Sequence, residues 1–256
     1  MVQLIYNVKN VGILPGDQGT VPDGILYDGK LPGETERYIW EFAPEQQRSR
    51  WKELFAACPQ ERVIIRLSGS ILEDAQKKSV PLSFDKCMEM LIRAAESCGR
   101  EELMILFPST GIPLDQLRCL ISLFNISAAD STLLCRTGVE IADPQAALMA
   151  EEYAKIADFI IFQTEELTKT MYAIANGDAR EVVCEYMQDG IFEQSPFCTF
   201  DSVGLGTLLL FAICQANTAK KGICFGAAGK PIEEPQGQKF CRENGIGWML
   251  FDAPAA

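Results

Sequence analysis

Thr137-Gly138-Val139-Glu140-Ile141-Ala142-Asp143-Pro144 and, further on, Ala157-Asp158-Phe159-Ile160-Ile161-Phe162-Gln163-Thr164-Glu165-Glu166 are the two stretches from which the fold can be read. Each is an apolar strand that ends in carboxylate and turns at once into a helix start. Asp143 followed by Pro144 makes a helix cap and first-turn pair, and Thr164 can cap a helix beginning at Glu165. Two such units in succession predict neighbouring parallel strands. Their carboxyl ends would project Glu140 and Glu165 or Glu166 into one crevice, a natural seat for a divalent cation.

The same alternation runs outward in both directions. Apolar strands are predicted at Val63–Leu67, Leu103–Phe107, Leu133–Ile141, Phe159–Phe162, Gly222–Phe225 and Trp248–Phe251, with a further one near Gly24–Tyr27. Amphipathic helices are predicted near 44–58, 83–98, 113–125, 144–156, 165–176, 205–217 and 235–244. Ser83 can cap the second helix, with Asp85 in its first turn and Gly99 just past its end; Gly245 can close the last. Strands alternating with helices imply a parallel sheet with helices outside it. Seven strands are placed in this way, and no eighth is found between residues 68 and 102, where only Val80–Ser83 looks extended. The expected fold is an α/β (β/α)8 TIM-type barrel with one irregular or missing strand, an open doubly wound sheet being the alternative. The chain reads as one domain over 1–256, and its Gly/Pro-rich segment from Gly12 to Gly33 marks residues 1–35 as loop-rich.

Composition sets further bounds. The chain has 256 residues, 48% hydrophobic and 23% charged, which is ample apolar material for a large core. Its formal net charge of −12 argues against nucleic acid or an anionic membrane surface as partner. Met1 to Asn10 lacks the pattern of a secretory signal, and the longest apolar stretch, Val203 to Ala216, is too short to cross a bilayer. Ten cysteines are scattered without a C-x-x-C pair, several at apolar helix positions. That is the pattern of reduced, buried cysteines rather than of disulfides or structural zinc, and it points to the cytoplasm. There is no histidine, so carboxylates, cysteines and lysines must carry any acid–base or metal chemistry.

In a parallel α/β fold, ligands bind at the carboxyl ends of the strands. Arg66, Glu140, Glu165, Glu166 and Cys224 are all read at such ends. Strand alternation turns Glu140 away from Val139 and Ile141, and a carboxylate facing the interior needs a cation or an arginine such as Arg66 or Arg136. Glu165 and Glu166 also suit the positive end of a helix with no ligand at all. Arg66, before Ser68-Gly69-Ser70, suits a phosphate or carboxylate, or serves as a partner for excess acid. Cys224 precedes the glycine-rich turn Phe225-Gly226-Ala227-Ala228-Gly229, weak support for an anion site.

Together these segments resemble the C-terminal barrel of the phosphoenolpyruvate-utilising enzymes: pyruvate phosphate dikinase, phosphoenolpyruvate synthase and enzyme I of the sugar phosphotransferase system. Thr137–Leu148 looks like that family's G-x-M-I-E-x-P-x-A-A-L segment, and Ala157–Thr168 looks like A-D-F-F-S-I-G-T-N-D-L-T. Gly222–Gly229 is similar to G-I/M-C-G-E-x-G/A-G, Val63–Leu67 to V-x-I-R-T, and Met104–Pro108 to I-M-x-P-M. The likeness spans roughly residues 60–254. It implies metal ligands at Glu140 and Glu166, a cysteine acid at Cys224 that protonates the enolate of pyruvate, and substrate contacts at Arg66 and Glu165. The implied cofactor is Mg²⁺ (or Mn²⁺), the implied ligand phosphoenolpyruvate or a small 2-oxo acid, and the implied assembly a homodimer.

The departures from the pattern are specific. Glu165 stands where the family has asparagine, and Asn176 where an arginine is expected. The R-T-E motif of the first strand survives at best as Glu34-Thr35-Glu36, a segment carrying another arginine is missing before the Met104 strand, and Phe225-Gly226 replaces Gly-Glu. Phosphoryl transfer is largely charge stabilisation on the transferring group, so a pocket short of arginines is poorly suited to it. The expectation is a divergent barrel that binds Mg²⁺ with a pyruvate- or oxalate-like acid and has lost autonomous phosphoryl transfer. The competing expectation is an active enzyme on the same scaffold, either a phosphotransferase using a partner protein's phosphohistidine or a metal-enolate carbon–carbon lyase.

Overall fold

Parallel strands followed by helices are what the chain adopts. The computed structural model describes residues 3–8, 24–27, 38–58, 62–67, 83–174 and 179–252. Strands β1 (Gln3–Val8), β2 (Gly24–Tyr27), β3 (Arg62–Arg66), β4 (Glu102–Pro108), β5 (Leu134–Ile141), β6 (Phe159–Gln163), β7 (Cys224–Ala228) and β8 (Trp248–Asp252) follow one another in the order of a closed (β/α)8 barrel. The helices described are α1 (Pro44–Ala57), α2 (Phe84–Ser97), α3 (Leu114–Ala128), α4 (Pro144–Leu148), α5 (Ala150–Ala154), α6 (Thr164–Met171), α7 (Ala179–Gln188), α8 (Gly204–Ala219) and α9 (Pro235–Glu243).

The barrel is therefore complete, and the strand missing from the sequence reading is β1. It lies inside the segment read as loop-rich, where Leu4, Ile5, Tyr6 and Val8 carry strand propensity. The Gly/Pro-rich run that follows dominated the composition of that region and hid it. Val80–Leu82, Glu34–Glu36, Ser68–Ser70 and Asn176 lie outside the described residues. Two helical expectations change. The segment 144–156 is split at Met149 into α4 and α5, and an unforeseen helix, α7, follows α6.

The chain forms two compact units, Ile5–Gly138 with Asp252–Ala256, and Val139–Phe251 with Met1–Leu4. In the first, β3 and β4 are buried on both faces: Val63, Ile64, Ile65 and Leu103 to Phe107 are all at most 1% exposed. Such unbroken apolar strands belong to parallel sheets covered by helices. Helix α2 supplies cover through Phe84, Cys87, Met88, Leu91, Ile92 and Ala95, the spacing of one helical face. At the amino ends of the strands Glu102 is shared by two guanidiniums, Arg62 Nε at 3.2 Å and Arg136 Nε at 3.0 Å.

In the second unit, β6 contributes Phe159 to Phe162, all buried, in register with β7 from Phe159 opposite Cys224 to Gln163 opposite Ala228. Phe162 stacks on Phe225 at 6.0 Å between ring centroids, and Phe159 meets the edge of Trp248 at 5.3 Å. Gly226 allows this packing, because a β carbon there would lie 3.3 Å from both Ile161 Cγ1 and Leu250 Cδ1. Helix α8 covers the layer with Leu205, Leu209, Ala212, Ile213 and Ala216.

Candidate functional site

Glu140 is the penultimate residue of β5 and is 1% exposed, with Val139 and Ile141 likewise buried on the opposite face. Strand alternation thus delivers a carboxylate to the interior near the strand's carboxyl end, as its sequence position requires. Its Oε1 accepts a hydrogen bond from Gln163 Nε2, the last residue of β6. A carboxylate only accepts, so the amide nitrogen must face it. Arg136, one of the two arginines considered for Glu140, is engaged with Glu102.

Glu165 and Glu166 occupy the first turn of α6, where the helix dipole favours negative charge. Both face Lys169: its Nζ lies 2.7 Å from Glu166 Oε1 and 3.5 Å from Glu165 Oε1, one turn along the helix. The two carboxylate side chains are 39% and 46% exposed, while that of Lys169 is 20% exposed. Burial works against the charge on Lys169, but the hydrogen bond to Glu166 and the charges of Glu166 and Glu165 prevail and raise its pKa.

The helix start is seated against β7 through a short set of contacts. Thr164 begins α6 itself, and Gln163 holds the cap position without a side-chain capping bond. The hydroxyl of Thr164, expected to cap the helix, instead donates across the sheet to the carbonyl of Ala228 at 2.6 Å. Gly229 follows with φ of +107°, and a β carbon there would lie 2.9 Å from Thr164 Oγ1 and 3.1 Å from the Glu165 nitrogen. Only glycine combines that backbone conformation with so close an approach. Thr168 completes the turn by donating to the Thr164 carbonyl at 2.8 Å.

Cys224 is displaced from its expected place. It opens β7 rather than ending it, level with Phe159 at the amino end, and the carboxyl end of the strand is Ala228. At about 3.3 Å per residue, four residues of strand separate Cys224 from the level of Gln163. Its neighbours there are Asp158, whose carbonyl accepts from the Cys224 nitrogen, and Lys220, whose Nζ pairs with Asp158 at 2.9 Å. The strand was read as starting at Gly222 because Gly222-Ile223 continues the apolar pattern, but Gly222, at φ of +79°, belongs to the turn before it, and Phe225 to Ala228, read as a glycine-rich turn, are part of the strand. Arg66, by contrast, is the last residue of β3 as expected, half-buried and in register with Leu106.

Gln163 and Lys169 were not singled out from the sequence. Lys169 carried a legible signal, standing three and four residues after the two glutamates. Gln163 carried a subtler one: the segment that Ala157–Thr168 resembles has glycine at its position. Among the described residues no three or more Cys, Asp or Glu side chains form a group that could hold a metal ion. Glu140 and Glu166 are at most a two-carboxylate donor set.

No family model matches the chain. Curated sequences do. Pyruvate, phosphate dikinase from Rhizobium meliloti is 37% identical over 112 residues, 44% of this chain and 12% of that protein. Pyruvate, phosphate dikinase 2 from Oryza sativa is 30% identical over 121 residues, 47% of this chain and 14% of that protein. The chloroplastic enzyme of Mesembryanthemum crystallinum is 28% identical over 182 residues, 66% of this chain and 19% of that protein. The chain is related to the phosphoenolpyruvate-utilising enzymes. It spans only 12 to 19% of the length of these relatives. Solved structures show the same fold at low identity. Haloferax volcanii malate synthase superposes with a TM-score of 0.58 at 12% identity, covering 99% of this chain and 70% of that one. An aldolase/citrate lyase family protein from Burkholderia cenocepacia gives 0.54 at 11%, covering 98% and 88%.

Proposed function

We propose that this barrel binds a small 2-oxo acid, pyruvate- or oxalate-like, together with Mg²⁺ or Mn²⁺ at the carboxyl ends of β5 and β6, and that it does not transfer phosphoryl groups on its own. The observation that carries this reading is Glu140, a carboxylate buried to 1% exposure near the end of a barrel strand, where ionised groups are kept only with strong partners. The dikinase relatives bear pyruvate and phosphate in their names. One of the malate synthase structures that share the fold is a magnesium/glyoxylate complex, glyoxylate being itself a 2-oxo acid.

The donor chemistry fits a hard cation. Mg²⁺ is held through one or two carboxylates, with water and substrate oxygens completing the shell. Glu140 and Glu166 would be those carboxylates, and the bound cation would supply the charge that holds the keto and carboxylate oxygens of the ligand. The chain's own residues orient the site: Gln163 fixes the Glu140 carboxylate, Thr164 and Gly229 fix the start of α6, and Lys169 tempers the charge of Glu165 and Glu166. Glu165 adds a negative charge where a phosphorylated ligand would need a neutral donor, which supports loss of phosphoryl transfer. Cys224, at the amino end of β7, is left out of the proposed chemistry.

Calorimetric titration of oxalate and pyruvate, with and without Mn²⁺, tests the reading. Binding of oxalate that requires Mn²⁺ and weakens by roughly a hundredfold in Glu140→Gln is the expected result. The substitution keeps an acceptor for Gln163 and removes only the charge. Absence of oxalate binding under every metal condition would overturn the proposal.

A further inference from the structure

We infer that the outer face of α8 is the surface through which two copies of this chain pair, antiparallel, about a two-fold axis beside Leu210 and Phe211. Helix α8 buries Leu205, Leu209, Ala212, Ile213 and Ala216 over the barrel layer, and a surface helix of this kind ordinarily carries charge on its opposite face. This one carries none. Its 16 residues include no charged side chain, although a chain with 23% charged residues would place about four there. The outer face shows Val203, 80% exposed at the helix start, then Thr207, Leu210, Phe211 and Cys214, all exposed and three or four residues apart, which keeps them on one side. The Thr218 hydroxyl donates to the Cys214 carbonyl at 2.9 Å and so is satisfied within the helix. Among the described α-helices only the short α4 is likewise uncharged; it packs against α8, and its Leu148 is exposed as well. A helix that is apolar all round is a buried helix, and an exposed apolar patch of this sort marks a docking surface.

The charges that flank the helix point to a second copy as the partner. Asp201 stands at its start, where Oδ1 accepts from the nitrogens of Val203 and Gly204 at 3.0 and 2.9 Å. Two lysines follow its end: Lys220 is held by Asp158, and Lys221 is exposed. Acid, uncharged strip and base make a pattern that complements itself when reversed. Antiparallel pairing sets Asp201 of each copy beside Lys221 of the other, aligns the helix dipoles favourably and places Thr207 across from Cys214. Parallel pairing would set like charges together. Two copies of net charge −12 repel one another, and this strip lets them meet without opposing like charges at the contact. Its size sets the strength. A strip about 24 Å long and about 10 Å wide is smaller than the about 800 Å² that each partner gives to a standard interface, so the pair dissociates in the micromolar range.

Sedimentation velocity on the purified full chain, from low to several hundred micromolar, tests the pairing, with a melting curve for wild type, Phe211→Glu and Lys221→Glu. The expected result is a monomer–dimer equilibrium in wild type that weakens by at least about tenfold in Phe211→Glu, which puts a charge at the centre of the contact. Lys221→Glu should weaken it about threefold at low salt and less at high salt, because it sets acid beside Asp201 of the other copy. Wild type that stays monomeric throughout would overturn the inference and leave the face to an unlike chain. A dimer that survives Phe211→Glu unchanged would place the contact elsewhere and overturn it too. Should Phe211→Glu prove unfolded on melting, Lys221→Glu, exposed and outside the helix, carries the test: dimerisation equal to wild type at low salt would overturn the antiparallel pairing.

Discussion

At the scale of single residues the site depends on small exceptions to ordinary packing. Gly229 is the clearest. Its φ of +107° and the 2.9 Å that would separate an added β carbon from Thr164 Oγ1 leave no side chain a comfortable place. Gly229→Ala should cost about 1–3 kcal/mol in urea unfolding, through backbone strain and displacement of Thr164. Thr164→Val, which removes the only atom able to donate to the buried Ala228 carbonyl from that side chain, should cost about 1–3 kcal/mol by the same measurement. These residues were only partly legible. The sequence placed Thr164 at the helix start, but its hydroxyl bonds across the sheet because the register of β6 on β7 brings Ala228 beside it. The face of Glu140 was legible, since two apolar neighbours on a strand dictate the face of the residue between them, but its partner Gln163 was not.

At the scale of elements, capping chemistry and periodicity were good guides and strand ends were not. Asp143 Oδ1 accepts from the Ala146 nitrogen at 2.8 Å, with Pro144 in the first turn, as the dipeptide alone suggested. Asp143→Ala should therefore lower stability by about 1 kcal/mol, read as a shift in the urea midpoint without change in slope. The failures have a common physical origin. A strand end is fixed by which backbone groups find partners on neighbouring strands, and those partners are distant in sequence. β7 was therefore read as starting two residues and ending three residues early, and Cys224 was assigned to the wrong end of it. β1 was overlooked because its six residues form a strand only by pairing with β2, Ile5 opposite Gly24. α7 begins at Ala179 with Glu181 in its first turn; the sequence carries a start signal there, Asp178 followed three residues later by Glu181, which the reading of the strand–helix alternation passed over.

At the scale of the whole molecule, the cysteines divide by exposure rather than behaving as one buried set. Cys58, Cys87 and Cys241 are buried, whereas Cys119, Cys184, Cys198 and Cys214 are exposed. Burial pushes the Cys87 thiol up to about 11, aided by the charge of Asp85, and the Cys241 thiol up to about 12. A thiol titration at pH 8 should label the four exposed cysteines quickly and leave Cys87 and Cys241 for the denatured protein. The sign of the pH dependence follows. Both thiols hold their protons more tightly folded than unfolded, so the stability they contribute is full below pH 9 and is lost as pH rises toward 11 and 12. Melting temperature measured from about pH 8 to 11 should fall accordingly, and Cys241→Ala should flatten part of that fall. No described helix is long and apolar enough to cross a membrane.

The sequence by itself determined the alternation of strands and helices, the barrel class, the face of Glu140 and the likeness to the phosphoenolpyruvate-utilising enzymes, because each rests on local periodicity or on the identity of a few neighbouring residues. Tertiary structure decided the rest: that β1 completes the strand count, that Cys224 lies at the foot of its strand, and that Glu140 is paired with Gln163 and Glu166 with Lys169. Strand register and side-chain pairing are set between segments far apart along the chain, and their energies appear only when those segments meet.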